Sequence, residues 1–304
     1  MIVVSNENWI YYHDKDNPVV AHISPGDEFI VEAPDTAGGA LTSEDFEFPK
    51  PYKGINPGKS NPLAGPIAID GALPGDTLVI EILEIEPSAS GYIATVPGVA
   101  LGNSENAKIR IVKIADGQIS FGDLFMLNVR PMIGTIGIAP ADAPVPTTHN
   151  MSFQGGNLDL VPITTGSTLY LPIAVKGALL ALGDCHACQG DGELAGSAVE
   201  ISARVRMRCR LTKGQRARPW IETATSWLTI ATGPDLDSAL RLAIADMADL
   251  LEDKLDVSRE DANMLITAAG SGRPGQAGGW SMDVSVAIEF PKWEQIGEII
   301  EIKN

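Results

Sequence analysis

The densest group of polar side chains in an otherwise apolar stretch is the segment 183–193, with the sequence GDCHACQGDGE. Asp184 and His186 are two residues apart, so on a continuing strand they project from the same face, about 6 to 7 Å apart. Glycines on both sides of Asp191 allow a sharp turn that would bring Glu193 to the same place. Carboxylate and histidine ligands with an open position suit zinc or a similar divalent ion that activates water.

Two structural alternatives apply to this segment. An aspartate and a histidine near a strand end can simply hydrogen-bond to each other and to a turn. Cys185 and Cys188 also form a CxxC pair, but no second such pair or paired histidines complete a structural zinc site. A redox motif would need a helix start, which this glycine-rich stretch does not suggest.

Two further segments contain candidate residues next to paired glycines. In the segment 149–159, HNMSFQGGNLD, the glycines permit unusual backbone angles and place Asn157 and Asp159 on one side. In the segment 32–40, EAPDTAGGA, Asp35 ends a strand before another glycine pair. Taken singly, these aspartates are more typical of turn caps than of metal ligands.

The charge balance excludes several classes of partner. Lysine and arginine number 22 against 39 acidic residues, which gives a formal charge of −17. Such a chain repels nucleic acid and anionic membranes, because binding to either depends on neutralising negative charge. The N-terminus lacks the apolar run of a secretory signal, and no apolar run reaches the roughly 18 residues of a membrane span. With only three cysteines, the chain suits a reducing compartment, and we expect a cytoplasmic protein.

Most of the chain predicts strands. The segment SAVEISARVRMRCRL, residues 197–211, alternates strictly and predicts one long strand with Cys209 in the core. Its solvent-exposed face would hold Glu200 and four arginines. We expect the arginines to pair with carboxylates of a neighbouring strand. In DTLVIEILEIEP the apolar pattern shifts after Ile82. TSWLTIAT and MDVSVAIEF also predict strands.

Helices are predicted only late in the sequence. Asp237 can cap a first helix, and the apolar stripe of that helix consists of Leu240, Ile244, Met247 and Leu251. Ser258 can cap a second helix that ends near Gly270. The glycine-rich stretch 270–279 predicts a loop, either on the surface or close to a ligand.

These elements predict a β-rich α+β fold. We expect an antiparallel sandwich or barrel-like portion over residues 1–215, carrying most of the metal site. An α/β layer with two helices, residues 216–304, would pack on it within one compact catalytic unit.

Several blocks of the sequence resemble the acetamidase/formamidase family, in order along nearly the whole chain. They include VEAPDTAGGALT, NPLAGPIAIDGALPGDTLVIEILEIEP, RPMIGTIGIAP, GGNLDL, HACQGDGEL and IETATSWLTIATGPDLDSALRLAIADMADLLEDK. The resemblance implies a β-rich enzyme that hydrolyses short aliphatic amides to a carboxylate and ammonia. The reaction would use a bound divalent metal and an activated water.

The resemblance also implies site residues. As metal ligands we predict Asp35, Asp159, Asp184, His186 and Glu193. Asp184, His186 and Glu193 are the predicted catalytic residues, with Glu193 as the general base that takes a proton from water. Asn157, Gln189 and Gly156 would bind the amide or stabilise its oxyanion.

The chain departs from the family pattern at two places, which leaves alternatives open. Cys185 and Cys188 stand where the family has small residues, so sulfur could line the site. The stretch Gly270–Gln276 lacks a family aspartate, and a cyclic amide (lactam) is therefore an alternative substrate. A non-catalytic β protein with a structural calcium ion is a third hypothesis, although His186 argues against calcium, which prefers oxygen ligands. We expect zinc as the metal, a small neutral amide as the partner, and a homodimer or higher homo-oligomer.

Overall fold

The structure is a computed structural model that describes residues 1–5, 7–47, 59–98, 101–102, 104–214, 217–277 and 283–293. Strands dominate it and form two large sheets and one two-stranded sheet, with two helices late in the chain. This confirms the predicted β-rich α+β class. Along the described strands neither large sheet closes into a barrel, so the arrangement is one of open sheets.

The first large sheet, sheet A, has nine strands and is antiparallel except at its first pair. Strands from beyond residue 216 continue it, so the sheet crosses the boundary predicted between the two portions, and that division stays a prediction. In spatial order the strands of sheet A are Ile2–Val4, Glu28–Ala33, Ala203–Lys213, Asp76–Pro87, Thr168–Pro172, Trp220–Glu222, Ser226–Gly233, Val284–Pro291 and Ser271–Pro274.

The second large sheet, sheet B, has twelve strands and carries the predicted metal-binding segment on a central strand, Leu180–His186. Its main order is Phe125–Asn128, Gln118–Phe121, Lys108–Ala115, Ser90–Thr95, Glu200–Ile201, Leu180–His186, Met132–Gly137, Gly155–Asn157 and Asn150–Met151. Leu63–Ile69 also pairs with the central strand, and joins Trp9–Ile10 and Ala21–Ile23 to the sheet. The two-stranded sheet is Tyr12–His13 with Val145–Pro146.

The long alternating segment is divided between the two sheets, so the prediction of one strand is wrong. Glu200–Ile201 lies in sheet B, and after Ser202 the chain continues as Ala203–Lys213 in sheet A. Cys209 is fully buried in the core, as predicted. Glu200 was predicted on the wet face, but it is only 3% exposed, because the crossing between sheets turns its side chain inward.

The arginines of Ala203–Lys213 pair with carboxylates of the neighbouring strands, which confirms the predicted pairing. Arg204 contacts Glu32 at 2.7 Å and Arg208 contacts Glu81 at 3.0 Å. These pairs are partly exposed, so each contributes little to stability. The shift in the pattern of DTLVIEILEIEP is a register shift in the pairing of strands Asp76–Pro87 and Ala203–Lys213.

Both predicted helices form. Helix α1, Leu236–Leu255, is capped by Asp235, whose carboxylate accepts from Ser238 N, so the predicted cap Asp237 is two residues late and lies in the first turn. Helix α2, Arg259–Ala269, is capped by Ser258 as predicted. Within the described residues, no helix has the length and apolar character needed to cross a membrane.

The stretch 270–279 is only partly a loop. Ser271–Pro274 is an edge strand of sheet A, so the loop prediction is wrong for these residues. Gly278 and Gly279 lie outside the described residues.

His13 is buried, and neither ring nitrogen has a hydrogen-bond partner among the described residues. Burial lowers the pKa of His13 from 6.5 to about 4, because water that would solvate the charged ring is excluded. The unfolded chain therefore binds this proton below about pH 6.5, whereas the folded chain binds it only near pH 4.

The contribution of His13 to the free energy of unfolding is thus fully present above pH 6.5 and is lost as the pH falls towards 4. At about 1.4 kcal/mol per pKa unit, the loss reaches roughly 3 kcal/mol. Urea unfolding at pH 7 and pH 4.5 should show a smaller pH dependence for His13→Leu than for the parent or for the exposed-histidine control His22→Leu. Equal pH dependence in all three proteins would refute this assignment.

Candidate functional site

The strand Leu180–His186 brings Asp184 and His186 together as the sequence predicted. Asp184 Oδ1 lies 3.0 Å from His186 Nε2. Cys185, between them, is fully buried in the hydrophobic core, so its sulfur does not line the site, and Cys188 packs against the same core. The hypothesis of a sulfur-lined site is therefore wrong for Cys185 and stays a prediction for the partly exposed Cys188.

Four buried carboxylates surround His186 Nε2. Their nearest oxygens lie 3.0 Å away for Asp184, 3.4 Å for Glu200, and 4.0 Å for both Asp159 and Glu193. None of these residues is more than 7% exposed. In the part of the chain that the structure describes, no lysine or arginine forms an ion pair with any of them. Such a concentration of buried negative charge requires protons or a cation to compensate it.

The backbone is held in an unusual conformation at this site. Four of the eight non-glycine residues with positive φ belong to it, which concentrates the strained backbone of the described chain in one place. They are Asn61 at φ 57°, Asp159 at 47°, Asp184 at 56° and Glu193 at 44°. Surrounding hydrogen bonds must therefore fix where these side chains point.

Hydrogen bonds to the second carboxylate oxygen fix the orientation of Asp184. Its Oδ2 accepts hydrogen bonds from Thr135 Oγ1 at 2.8 Å and Asn61 Nδ2 at 3.2 Å. Asn157 Oδ1 lies 2.5 Å from Thr135 Oγ1 and 3.1 Å from Asn61 Nδ2, so Asp184 and Asn157 share the one hydroxyl hydrogen of Thr135. This network leaves Asp184 Oδ1 directed at His186.

Glu200 lies on the strand next to that of His186, and hydrogen bonds fix the orientation of its side chain. It lies opposite His186 in the register of sheet B. Its Oε2 accepts from Thr36 Oγ1 at 3.1 Å, and Thr36 in turn lies 2.5 Å from the Tyr92 hydroxyl. The Ala198 amide donates to Oε1 of Glu200 at 3.2 Å.

The ionisation of the cluster reflects its burial. Burial, aided by the Asp184 charge, raises the pKa of Asp159 to about 8, and burial raises the pKa of Glu200 to about 7. Burial and the charge of Asp159 raise the pKa of Glu193 well above its usual value. Burial opposes ionisation of Asp184 and His186 too, but the attraction of His186 to the Glu200 and Asp184 charges and the hydrogen bonds to these carboxylates prevail. The pKa of Asp184 is therefore lowered and that of His186 is raised.

Gln189 fixes the orientation of the imidazole. Its Nε2 donates to the Asp159 carbonyl at 2.7 Å, and a backbone carbonyl can only accept, so the amide orientation is determined. Its Oε1 then accepts from His186 Nδ1 at 2.7 Å. Nδ1 carries a hydrogen, and Nε2 is the nitrogen that faces the carboxylates.

We expect Gln189→Met to weaken divalent ion binding by about 10–100-fold, the usual cost of losing the outer partner of a ligand histidine. In proton–nitrogen correlation spectra the parent should show a slowly exchanging Nδ1 proton on His186, because this proton is buried and hydrogen-bonded. That signal should be lost in Gln189→Met and kept in the surface control Gln118→Met. Its persistence in Gln189→Met would contradict the assignment.

The residues fit a divalent ion. Asp159 Oδ1 is buried without a hydrogen-bond partner among the described residues. It lies 4.0 Å from His186 Nε2, too far for a hydrogen bond but near the separation of about 3.3–4 Å between two ligands of one zinc ion. Two groups of three side chains have ligand atoms within 4.8 Å of one another, and both include His186: Asp159, His186, Glu193 and Asp184, His186, Glu200.

Gly134 packs directly against the residues of this site. A Cβ there would lie 2.5 Å from Asp159 Oδ1, 2.7 Å from the Asp184 carbonyl and 2.9 Å from His186 Cε1. The Gly134 carbonyl also accepts hydrogen bonds from the amides of Leu158 and Asp159, both at 3.0 Å. Glycine at this position lets the strand Met132–Gly137 approach Asp159, Asp184 and His186 closely.

The other predicted residues fall in different places. Asp35 lies beside the site but outside both ligand groups: its Oδ1 accepts from the amides of Ala37 and Gly39 at 2.8 and 3.0 Å, as a turn cap does. Gly156 has φ 106°, and a Cβ there would lie 2.6 Å from the His149 carbonyl. That is a packing requirement, and the predicted substrate and metal roles of these two residues stay predictions.

Asn157 and Gln189, both predicted to bind substrate, differ in whether a side-chain hydrogen-bond donor remains unused. Asn157 Nδ2 forms no hydrogen bond with any residue that the structure describes, so a donor remains. Gln189 uses both ends of its amide on His186 and Asp159. The geometry therefore indicates that Gln189 positions the His186 ring.

Four site residues were not predicted from the sequence: Glu200, Gln276, Asn61 and Thr135. Glu200 is the one acid on the polar face of an arginine-rich segment, and that exception was a usable signal. Gln276 donates to Asp159 Oδ2 and Glu193 Oε2, both at 2.8 Å. Nothing in local composition distinguished Asn61 or Thr135.

Known proteins resemble this chain in sequence and fold. The model of the acetamidase/formamidase family matches residues 5–154 and 145–272. The acetamidase from Bacillus halodurans is 33% identical with a TM-score of 0.92, covering 98% of this chain and 100% of that one. The gamma lactamase from Delftia acidovorans, 19% identical, shares the fold with a TM-score of 0.61 over 96% of this chain and 90% of its own.

Among curated relatives, the formamidase of Methylophilus methylotrophus is 27% identical over 256 residues, 65% of this chain. The match spans only 62% of the length of that relative. The family model nevertheless covers well over half of the chain, and the Bacillus halodurans similarity extends over nearly all of it. The chain belongs to the acetamidase/formamidase family.

Proposed function

We propose that this protein hydrolyses short aliphatic amides, such as formamide and acetamide, to a carboxylate and ammonia in a site that holds a divalent ion. The observation that carries the proposal is the buried cluster of four carboxylates around one imidazole nitrogen, in which Asp159 Oδ1 has no partner among the described residues. Family membership supports the class of reaction.

The side chains that would hold the ion are Asp159, His186 and Glu193. Asp159 Oδ1 and Glu193 Oε1 both lie 4.0 Å from His186 Nε2. Asp184 and Glu200 lie closer to Nε2, but the group of Asp159, His186 and Glu193 contains Asp159 Oδ1, the buried oxygen without a hydrogen-bond partner among the described residues. The Ala198 amide donates to both Glu193 Oε1 and Glu200 Oε1, at 3.0 and 3.2 Å. The ion, zinc by its mixed nitrogen and oxygen donors, would supply Lewis-acid chemistry that lowers the pKa of water and polarises a carbonyl.

The remaining polar groups bind the amide and move protons. Asn157 Nδ2 has a free donor to direct at the amide oxygen, where negative charge develops as water adds to the carbonyl carbon. With Glu193 among the ligands, Glu200 takes the water proton and returns it to nitrogen, so that the C–N bond breaks and ammonia leaves. Glu193→Gln should then weaken ion binding, whereas Glu200→Gln should lower kcat with the ion bound.

Ammonia release from formamide and acetamide, compared with formation of the ring-opened amino acid from a small lactam, tests this function in zinc-loaded protein. Turnover of the linear amides with little opening of the lactam supports it. A preference for the lactam would move the assignment to the cyclic-amide alternative. Folded, zinc-loaded protein that hydrolyses none of them would refute amide hydrolysis.

A further inference from the structure

The segment Arg273–Ala277 connects the C-terminal layer of the protein to the loop 191–193. It begins on the edge strand Ser271–Pro274 of sheet A and runs towards the site. Three successive residues of the loop each have a partner in the segment. These bonds join Arg273 Nη2 to Asp191 Oδ1 at 3.1 Å, Ala277 N to Gly192 O at 3.2 Å, and Gln276 Nε2 to Glu193 Oε2 at 2.8 Å.

The same segment is bound to the turn that carries Asp159. Gln276 N lies 3.1 Å from the Leu158 carbonyl and 2.8 Å from Ser285 Oγ, which itself donates to that carbonyl at 2.5 Å. Gly275 passes so close that a Cβ would lie 2.2 Å from the Leu158 oxygen. Gln276 Nε2 then donates to Asp159 Oδ2 at 2.8 Å.

One amide nitrogen therefore bridges two buried carboxylates from different loops. Gln276 holds Oδ2 of Asp159 and Oε2 of Glu193, and the other oxygen of each carboxylate lies 4.0 Å from His186 Nε2. A neutral donor suits this position, because it brings two mutually repelling carboxylates together without cancelling the negative charge that attracts a cation. A lysine there would compete with the ion.

We infer that Gln276 is a positioning residue that sets the spacing of Asp159 and Glu193, so that the ion affinity of the site depends on the docking of the segment Arg273–Ala277. The inference rests on the ion site proposed above. It gives the C-terminal layer, which was predicted only to pack on the β-rich portion, a direct part in building the site.

Zinc titration of chelator-treated protein against a competing indicator tests the inference, together with thermal unfolding of the ion-free proteins. Gln276→Ala should raise the zinc dissociation constant about 10–100-fold, the usual effect of removing a hydrogen-bond partner of a metal ligand. Gln276→Asn keeps the donor but is one methylene shorter, so it reaches only one carboxylate and should fall between. Gln118→Ala removes a surface glutamine amide bonded to Asn128 and should bind zinc like the parent.

A merely structural role would lower the melting temperature of the ion-free variants and leave zinc affinity of the folded protein unchanged. Parent-like zinc binding by folded Gln276→Asn would overturn the inference, even if Gln276→Ala does not fold. If the parent hydrolyses amides and that result is found, only the inference fails. If the parent binds no zinc, the inference and the proposed ion site fail together.

Discussion

His186→Ala should release no ammonia from formamide or acetamide above the background rate. His186 supplies the one nitrogen donor that both candidate ligand groups share, and all four buried carboxylates face its Nε2 within 4.0 Å. Removing His186 should therefore weaken ion binding by more than the roughly 10–100-fold expected when an outer hydrogen-bond partner such as Gln189 is removed. Zinc binding and ammonia release should be lost together.

The control for this variant is His22→Ala, which removes an exposed imidazole. It should retain the parent activity and zinc content. Near-ultraviolet circular dichroism must show that His186→Ala is folded, because removing one partner of a buried charged group destabilises by about 3–5 kcal/mol. A folded His186→Ala that still hydrolyses amides would remove the basis for the proposed site.

Gly134→Ala should reduce activity about 100-fold or more, although it changes no charged or polar side chain. The new methyl group would lie 2.5 Å from Asp159 Oδ1 and 2.9 Å from His186 Cε1, closer than non-bonded atoms allow. Either the strand Met132–Gly137 or the ligands must move, and such overpacking costs about 1–3 kcal/mol. Misplacing ligands by about 1 Å is enough to reduce turnover about 100-fold.

Gly102→Ala is the matched control for Gly134→Ala. A Cβ at Gly102 meets nothing within 4 Å, and its backbone does not have positive φ. Kinetics and urea unfolding of both variants should show loss of activity and stability only at Gly134. Parent-like kcat/KM in Gly134→Ala would mean that the close approach of Gly134 to Asp159 is not needed for activity.

The sequence predicted well the parts of the protein that depend on local pattern. Period-two alternation indicated the buried face of Ala203–Lys213, and the serine before Arg259 indicated the start of helix α2. The two-residue spacing of Asp184 and His186 also predicted their convergence, because neighbours on one face of a strand stay together whatever else packs on it.

The sequence could not predict where the chain changes sheets. Glu200 continued the alternation of the arginines, and only the crossing at Ser202 turns it into the site. Gln276 is more than 80 residues from Glu193 in the sequence. Their contact depends on the edge strand Ser271–Pro274 of sheet A, which brings the chain back to the site. Asp35 shows the reverse case, since it was predicted as a metal ligand but its Oδ1 caps a turn.

The most direct test of the account is to remove metal from the protein with a chelator, add zinc back in steps, and measure bound zinc and ammonia release from formamide and acetamide on the same samples. We predict that turnover is absent without the ion and rises in proportion to occupancy up to one ion per His186. Full turnover by protein with no bound ion, or none at full occupancy, would contradict the assignment of the carboxylate and histidine cluster as the hydrolytic site.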